Sequence, residues 1–121
     1  MKILVVEDAP AVRNYYHHIL KEAGYEVIQA VDGAEGLEKL FTSPDIALII
    51  SDVDMSMMNG VSMIEQVRRE SRFAGVPIIV TSNGYCGLDK QKGFAAGVDA
   101  YIFKPIEPEI LVENINLLTM N

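Results

Sequence analysis

Acidic side chains follow two of the apolar runs in this sequence, and their spacing could support metal and phosphoryl chemistry. Glu7 and Asp8 come directly after the first run, while Asp52 and then Asp54 come after the third. Carboxylates that converge repel each other, and a hard divalent cation with oxygen ligands relieves that repulsion. If the two runs are neighbours, these residues predict a Mg²⁺ site that also offers a carboxylate nucleophile.

A hydroxyl and an ammonium group follow two further apolar runs, at Thr81 and Lys104. Both groups can hold phosphate oxygens, so that together with the carboxylates they indicate a phosphoryl site. Each position also has an ordinary alternative. Asp8 could cap the first helix, Thr81 could be a plain strand residue, and Lys104 could be a solvated surface charge.

Short β-branched runs alternate along the chain with segments of helical periodicity. Strands are predicted at 3–6, 26–30, 46–50, 76–80 and 98–103. Helices are predicted around 12–23, 34–41, 61–67, 88–96 and 111–118, the first ended by Gly24 and the fourth interrupted by Gly93. Such alternation predicts a (βα)₅ fold with a parallel sheet covered by helices on both faces. Ligands of such folds bind beyond the carboxyl ends of the strands, where all four candidate groups lie.

Length and composition exclude several classes of protein. The 121 residues suit one domain, 1–121, and are 50% hydrophobic and 22% charged, as in globular proteins. The net charge of −7 disfavours direct binding to nucleic acid and to anionic membranes. The single cysteine, Cys86, excludes an internal disulfide and a cysteine-based metal cluster. Since no apolar run reaches the roughly 18 residues of a membrane span, we expect a cytoplasmic protein.

With these residues in place, the whole chain resembles a response-regulator receiver domain of two-component signalling. The segments that carry the resemblance are 3–8, 49–60, 77–81 and 96–105. The resemblance implies a flavodoxin-like α/β fold, a three-layer sandwich with a five-stranded parallel sheet in the order 2-1-3-4-5.

By the same resemblance, Asp52 is the phospho-acceptor. Glu7, Asp8 and Asp52 would hold Mg²⁺ (or Mn²⁺) together with the main-chain carbonyl of Asp54. The phosphoryl donor would be a histidine kinase or a histidine phosphotransfer protein. The chain would then assist only its own phosphorylation and dephosphorylation, and would not be an enzyme in the ordinary sense.

The resemblance also implies that Thr81 and Lys104 contact the phosphoryl oxygens, and that Thr81 and Tyr101 form a switch. Phosphorylation would be read out on the surface formed by the fourth predicted helix, the fifth strand and the fifth helix. A target protein or an output domain would bind there, and the chain would be a monomer or a phosphorylation-dependent dimer. Without the resemblance, Tyr101 would be taken as an ordinary core aromatic. The Lys104–Pro105 bond is cis in this family, whereas the sequence alone leaves a trans bond open.

Two positions depart from the family pattern or could modify the chemistry. Ser56 stands where the family usually has proline, which should loosen the loop after Asp52. Asp54 places a further carboxylate beside the pocket and, like Asn83, could tune the lifetime of the phosphoryl group. The alternative for Asp54 is a solvated loop acid.

Two other functions compete with the receiver interpretation. Residues 52–56 also resemble the DxDx(T/V) nucleophile motif of haloacid-dehalogenase-type phosphatases. That motif usually follows the first strand, the chain is short for that fold, and no acidic pair follows Lys104 at a strand end. A degenerate receiver that acts only as a scaffold is disfavoured by the complete set of site residues. Whether the receiver stands alone or belongs to a longer regulator is left open.

Overall fold

The computed structural model of the chain describes residues 1–53, 60–83 and 97–120, with the backbone alone at 60 and 61. The strands are β1 (Lys2–Val6), β2 (Glu26–Ala30), β3 (Ile46–Asp52), β4 (Ile78–Ser82) and β5 (Ala100–Phe103). The helices are α1 (Pro10–Glu22), α2 (Gly33–Thr42), α3 (Gly60–Arg69), a 3₁₀ turn (Ser71–Phe73) and the C-terminal helix (Pro108–Thr119). None of the helices in these ranges is both long and apolar enough to cross a membrane.

The five strands form one parallel sheet in the order β2-β1-β3-β4-β5. This confirms the predicted flavodoxin-like topology. The register pairs Val6 with Ser51 and Asp52 with Thr81. The carboxyl ends of β1, β3 and β4 therefore lie side by side at one edge of the sheet.

Two apolar clusters cover the two faces of the sheet. Along β1, Leu4 and Val6 pack on the α2 and α3 side, whereas Ile3 and Val5 pack on the side of α1 and the C-terminal helix. This alternation follows from the two-residue period of a strand. In β3 the same period places Ile50, and two residues later Asp52, on the α1 side.

Local sequence signals explain how the helices begin and end. Pro10 and Pro108 occupy the first turns of their helices, where the missing N–H costs nothing. The Asp32 carboxylate caps α2 by accepting a hydrogen bond of 2.8 Å from the Glu35 N–H. Gly24, with a φ of +93°, ends α1 in the left-handed conformation that suits glycine.

The strand ends differ from the sequence predictions by up to two residues. β3 extends to Asp52, and β4 runs two residues later than predicted, so that Asp52 and Thr81 lie within strands instead of after them. The two residues are paired across the sheet, which extends both strands. β5 begins at Ala100, two residues later than expected. The fourth predicted helix, at 88–96, lies outside the described residues.

Candidate functional site

Three carboxylates meet at the carboxyl edge of β1 and β3. Glu7 and Asp8 follow β1 and Asp52 ends β3, and each offers an oxygen that lies within 4.8 Å of the others. Because β1 and β3 are neighbours in the sheet, the two acidic segments emerge next to each other. The predicted convergence of Glu7, Asp8 and Asp52 is therefore present in the structure.

Asp8 does not cap the first helix, which was the ordinary alternative for this residue. The residue at the N-cap position of α1 is Ala9, and it makes no side-chain capping hydrogen bond. The Asp8 carboxylate is thus left beside Glu7 and Asp52.

Burial makes it electrostatically unfavourable for all three carboxylates of the cluster to be charged at once. The side chains of Glu7 and Asp52 are only 1% and 3% exposed. Burial, and after it the neighbouring Asp52, raise the pKa of Glu7 to about 8, although Lys104 opposes both effects. The structure thus holds one carboxyl group that accepts a proton near neutral pH.

Lys104 lies against two of the three carboxylates. Its Nζ is 3.1 Å from Asp52 Oδ2 and 3.5 Å from Glu7 Oε1. Burial lowers the pKa of Lys104, but the hydrogen bond and charge of Asp52 outweigh this effect and raise the pKa overall. The alternative of a solvated surface charge is therefore wrong. The following peptide bond, Lys104–Pro105, is cis, as the resemblance implied.

Thr81 lies beside Asp52 in the neighbouring strand. It is fully buried, and its hydroxyl has no hydrogen-bond partner in the part of the chain that the structure describes. A buried hydroxyl without a partner is costly, and it remains able to donate to a new oxygen that arrives at Asp52.

Tyr101 lies one strand further from the carboxylates, in β5. It is half-buried, packs against the apolar cluster on the α2 and α3 side, and its ring centroid is 5.1 Å from that of Phe103. Its predicted role as a switch stays a prediction. Asp54, the proposed carbonyl ligand, lies outside the described residues, as do Ser56 and Cys86.

The carboxylate cluster fits a hard divalent cation. All three side chains offer carboxylate oxygens, which Mg²⁺ and Mn²⁺ prefer. In addition, Glu7 Oε2 is buried and has no hydrogen-bond partner among the described residues. A cation bound here would satisfy that oxygen and offset the repulsion that raises the pKa of Glu7.

Two residues of α1 contribute to the site although the sequence analysis assigned them no role. The Arg13 guanidinium donates 2.9 Å from Nη1 to the Glu7 carbonyl oxygen and 3.1 Å from Nε to Gln29 Oε1. Tyr16 is buried near the carboxylates, and its hydroxyl lies close to Thr81. The one sign of a role for Tyr16 in the sequence was that a tyrosine, which carries a polar hydroxyl, occupies a core-facing position of the first helix.

Comparisons with known proteins agree with this geometry. The family model of the response regulator receiver domain matches residues 3–116. Chemotaxis protein CheY1 of Helicobacter pylori is 36% identical over 119 residues, which cover 98% of this chain and 96% of that protein. The aerobic respiration control protein ArcA of Escherichia coli is 35% identical over 122 residues, but only half of its length is matched. The structure of chemotaxis protein CheY4 of Vibrio cholerae superimposes with a TM-score of 0.90 at 35% identity, covering 97% of both chains.

Proposed function

The chain belongs to the response regulator receiver domain family, and from that premise we propose that it accepts a phosphoryl group on Asp52 in a Mg²⁺-dependent reaction. Membership of the family supports signalling through a phosphorylated receiver. The observation that carries the assignment to Asp52 is its position: the carboxylate is buried between Lys104 Nζ and the two acidic residues after β1.

In the proposed reaction, a carboxylate oxygen of Asp52 attacks the phosphorus atom of a phosphohistidine or a small acyl phosphate. The new O–P bond forms as the bond from phosphorus to the donor breaks, and the leaving group departs with its electron pair. Lys104 neutralises charge on the phosphoryl oxygens, since its Nζ already lies 3.1 Å from Asp52 Oδ2. Most of the rate enhancement then comes from positioning and charge neutralisation.

Glu7, Asp8 and Asp52 would hold Mg²⁺ together with the main-chain carbonyl of Asp54, the last by resemblance alone. When bound, the ion supplies positive charge to the phosphoryl oxygens. The residues of the chain fix the carboxylate oxygens in place, and Arg13 supports Glu7 through its carbonyl group.

We further propose that phosphorylation is read out through Thr81 and Tyr101. The Thr81 hydroxyl would be drawn toward the phosphoryl oxygens and Tyr101 would turn inward. This would change the surface made of residues 88–96, β5 and the C-terminal helix. A histidine kinase or a phosphotransfer protein would supply the phosphoryl group, and a target protein or output domain would bind the altered surface.

Intact-mass spectrometry after incubation with acetyl phosphate tests the phospho-acceptor directly. We expect one phosphoryl adduct that requires Mg²⁺ and is absent from Asp52→Asn. Asp45→Asn is a matched control, because Asp45 is exposed at the opposite end of β3 and pairs with Lys2. An adduct on Asp52→Asn, or none on the wild type, would contradict the proposal.

Turnover of p-nitrophenyl phosphate distinguishes the receiver from the phosphatase alternative. A receiver that assists only its own phosphorylation should release no more than about one equivalent of product on the time scale of its own dephosphorylation. Sustained multiple turnover that is lost in Asp52→Asn would instead identify a phosphatase.

A further inference from the structure

A second buried hydroxyl lies beside that of Thr81. Tyr16, on α1, is 1% exposed, and its hydroxyl is sealed from solvent. Neither the Tyr16 nor the Thr81 hydroxyl has a hydrogen-bond partner within residues 1–53, 60–83 and 97–120. Two neighbouring hydroxyls that are both buried and unpaired are unusual, because such groups are nearly always satisfied in folded proteins.

The Tyr16 hydroxyl is close enough to the site to be influenced by its charges. Burial raises the pKa of Tyr16, while the neighbouring Thr81 hydroxyl and then Lys104 lower it. Tyr16 and Lys104 also line one cavity of about 340 Å³ between α1 and the segment that follows β5. Tyr16 therefore lies next to the proposed phosphoryl site, on the same face of the sheet as Asp52.

The adjacent tyrosine differs from Tyr16, because its hydroxyl has a hydrogen-bond partner. The Tyr15 hydroxyl donates a 3.0 Å hydrogen bond to the Ile106 carbonyl oxygen, and its side chain is exposed. Only Tyr16 of this pair keeps an unused hydroxyl proton inside the protein.

A phosphoryl group on Asp52 would allow both hydroxyls to form hydrogen bonds. A threonine hydroxyl has one proton and two lone pairs, so once Thr81 donates its proton to a phosphoryl oxygen, its own oxygen can accept a hydrogen bond. The Tyr16 hydroxyl is a donor placed beside that oxygen. Donation from Tyr16 would polarise the Thr81 hydroxyl and strengthen its bond to the phosphoryl group.

We propose that Tyr16 is a positioning residue of the phosphorylated state, whose hydroxyl donates to Thr81 Oγ1 while Thr81 donates to the phosphoryl oxygen on Asp52. This inference rests on the proposed function, because it needs a phosphoryl group at Asp52. It adds a residue of α1 to the set that senses that group.

The test uses beryllofluoride with Mg²⁺ as a non-covalent mimic of the phosphoryl group, with binding followed by ¹⁹F NMR. We expect Tyr16→Phe to bind it about fivefold more weakly than the wild type, the equivalent of one hydrogen bond between neutral groups. Tyr25→Phe is the control, because the Tyr25 hydroxyl bonds to Asn116 away from the site, and its affinity should equal that of the wild type. Equal affinity of Tyr16→Phe and wild type would overturn the inference.

A double-mutant cycle with Thr81→Val separates positioning from a merely structural effect. The effect of Tyr16→Phe should vanish in the Thr81→Val background, since Tyr16 acts only through the Thr81 hydroxyl. An undiminished effect in that background would overturn the inference. Without beryllofluoride, Tyr16→Phe should unfold at the same temperature as the wild type or higher, and a variant that does not fold would contradict the unpaired hydroxyl. If the wild type itself bound no beryllofluoride, the proposed function would fail, and not Tyr16 alone.

Discussion

Replacement of Glu7 by glutamine should stabilise the metal-free protein, and the gain should grow with pH. Burial and the nearby Asp52 raise the pKa of Glu7 from 4.5 to about 8. The folded state therefore binds a proton that the unfolded chain has already released, and stability falls as the pH rises through this window. The slope is about 1.4 kcal/mol per pH unit, so that the wild type loses about 3 kcal/mol between pH 5.5 and 7.5 through this group. Glutamine does not titrate and lacks this loss.

Urea unfolding at the two pH values, in the presence of a chelator, measures the effect. The difference in the free energy of unfolding between Glu7→Gln and the wild type should widen by about 3 kcal/mol from pH 5.5 to 7.5. Glu65→Gln is the matched control, because Glu65 is exposed on α3, and it should follow the wild type at both pH values.

Addition of Mg²⁺ should offset most of the difference in stability between Glu7→Gln and the wild type at pH 7.5. A concentration a hundred times the dissociation constant stabilises the wild type by about 2.7 kcal/mol, whereas the variant lacks one carboxylate ligand and should gain far less. Parallel pH profiles for Glu7→Gln and the wild type would refute the reasoning, since they would show that Glu7 does not carry the cost of the cluster.

Two further substitutions test the role of the Lys104 ammonium group and of the backbone before β5. Lys104→Met should tighten Mg²⁺ binding roughly tenfold, measured by tyrosine fluorescence, because the ammonium group competes with the ion for the same carboxylates. Lys21→Met, on the exposed face of α1, should leave Mg²⁺ binding unchanged. Weaker Mg²⁺ binding in Lys104→Met would show that the lysine organises the site instead. Gly97→Ala should lower the free energy of unfolding by about 2 kcal/mol or more in urea titrations, because Gly97 has a φ of +110° and a Cβ there would lie 2.7 Å from Arg68 Cγ. Gly75→Ala, where a Cβ meets no atom within 4 Å, should cost far less, and equal losses at the two glycines would contradict this explanation.

The sequence predicts the sheet and the carboxylate cluster because both depend on short-range patterns. Apolar runs joined by helical periods specify a parallel sheet, and parallel strands bring their carboxyl ends to one edge. Glu7 and Asp52 follow such runs, so that their meeting requires only that the first and third strands be neighbours. The order of the strands itself came from the resemblance and not from periodicity.

Contacts in which one side chain joins distant segments of the chain could not be predicted from the sequence patterns. The Arg68 guanidinium donates to the carbonyl oxygens of Val76 and Gly97 and to the Asp99 carboxylate, which itself accepts from the Ile78 N–H. An arginine at the end of an amphipathic helix is usually predicted to be a solvated surface charge, because its hydrogen-bond partners are known only from the tertiary fold. Two of these contacts are made at Val76 and Ile78, next to the start of β4, which begins two residues later than the apolar run predicted.

The same distinction explains why Thr81 was found from the sequence and Tyr16 was not. Thr81 follows an apolar run at the edge where ligands bind, so that its place in the pattern already indicated chemistry. Tyr16 occupies a core-facing position of α1, where an aromatic ring is adequate reason for the residue. Its ring does pack in the core, but its hydroxyl lies beside polar groups, Thr81 first among them, and not beside further apolar side chains. The role of a polar group on a core residue can therefore be inferred only when the fold shows which groups surround it. The Tyr16 hydroxyl lies beside Thr81, which in turn lies beside the buried Asp52.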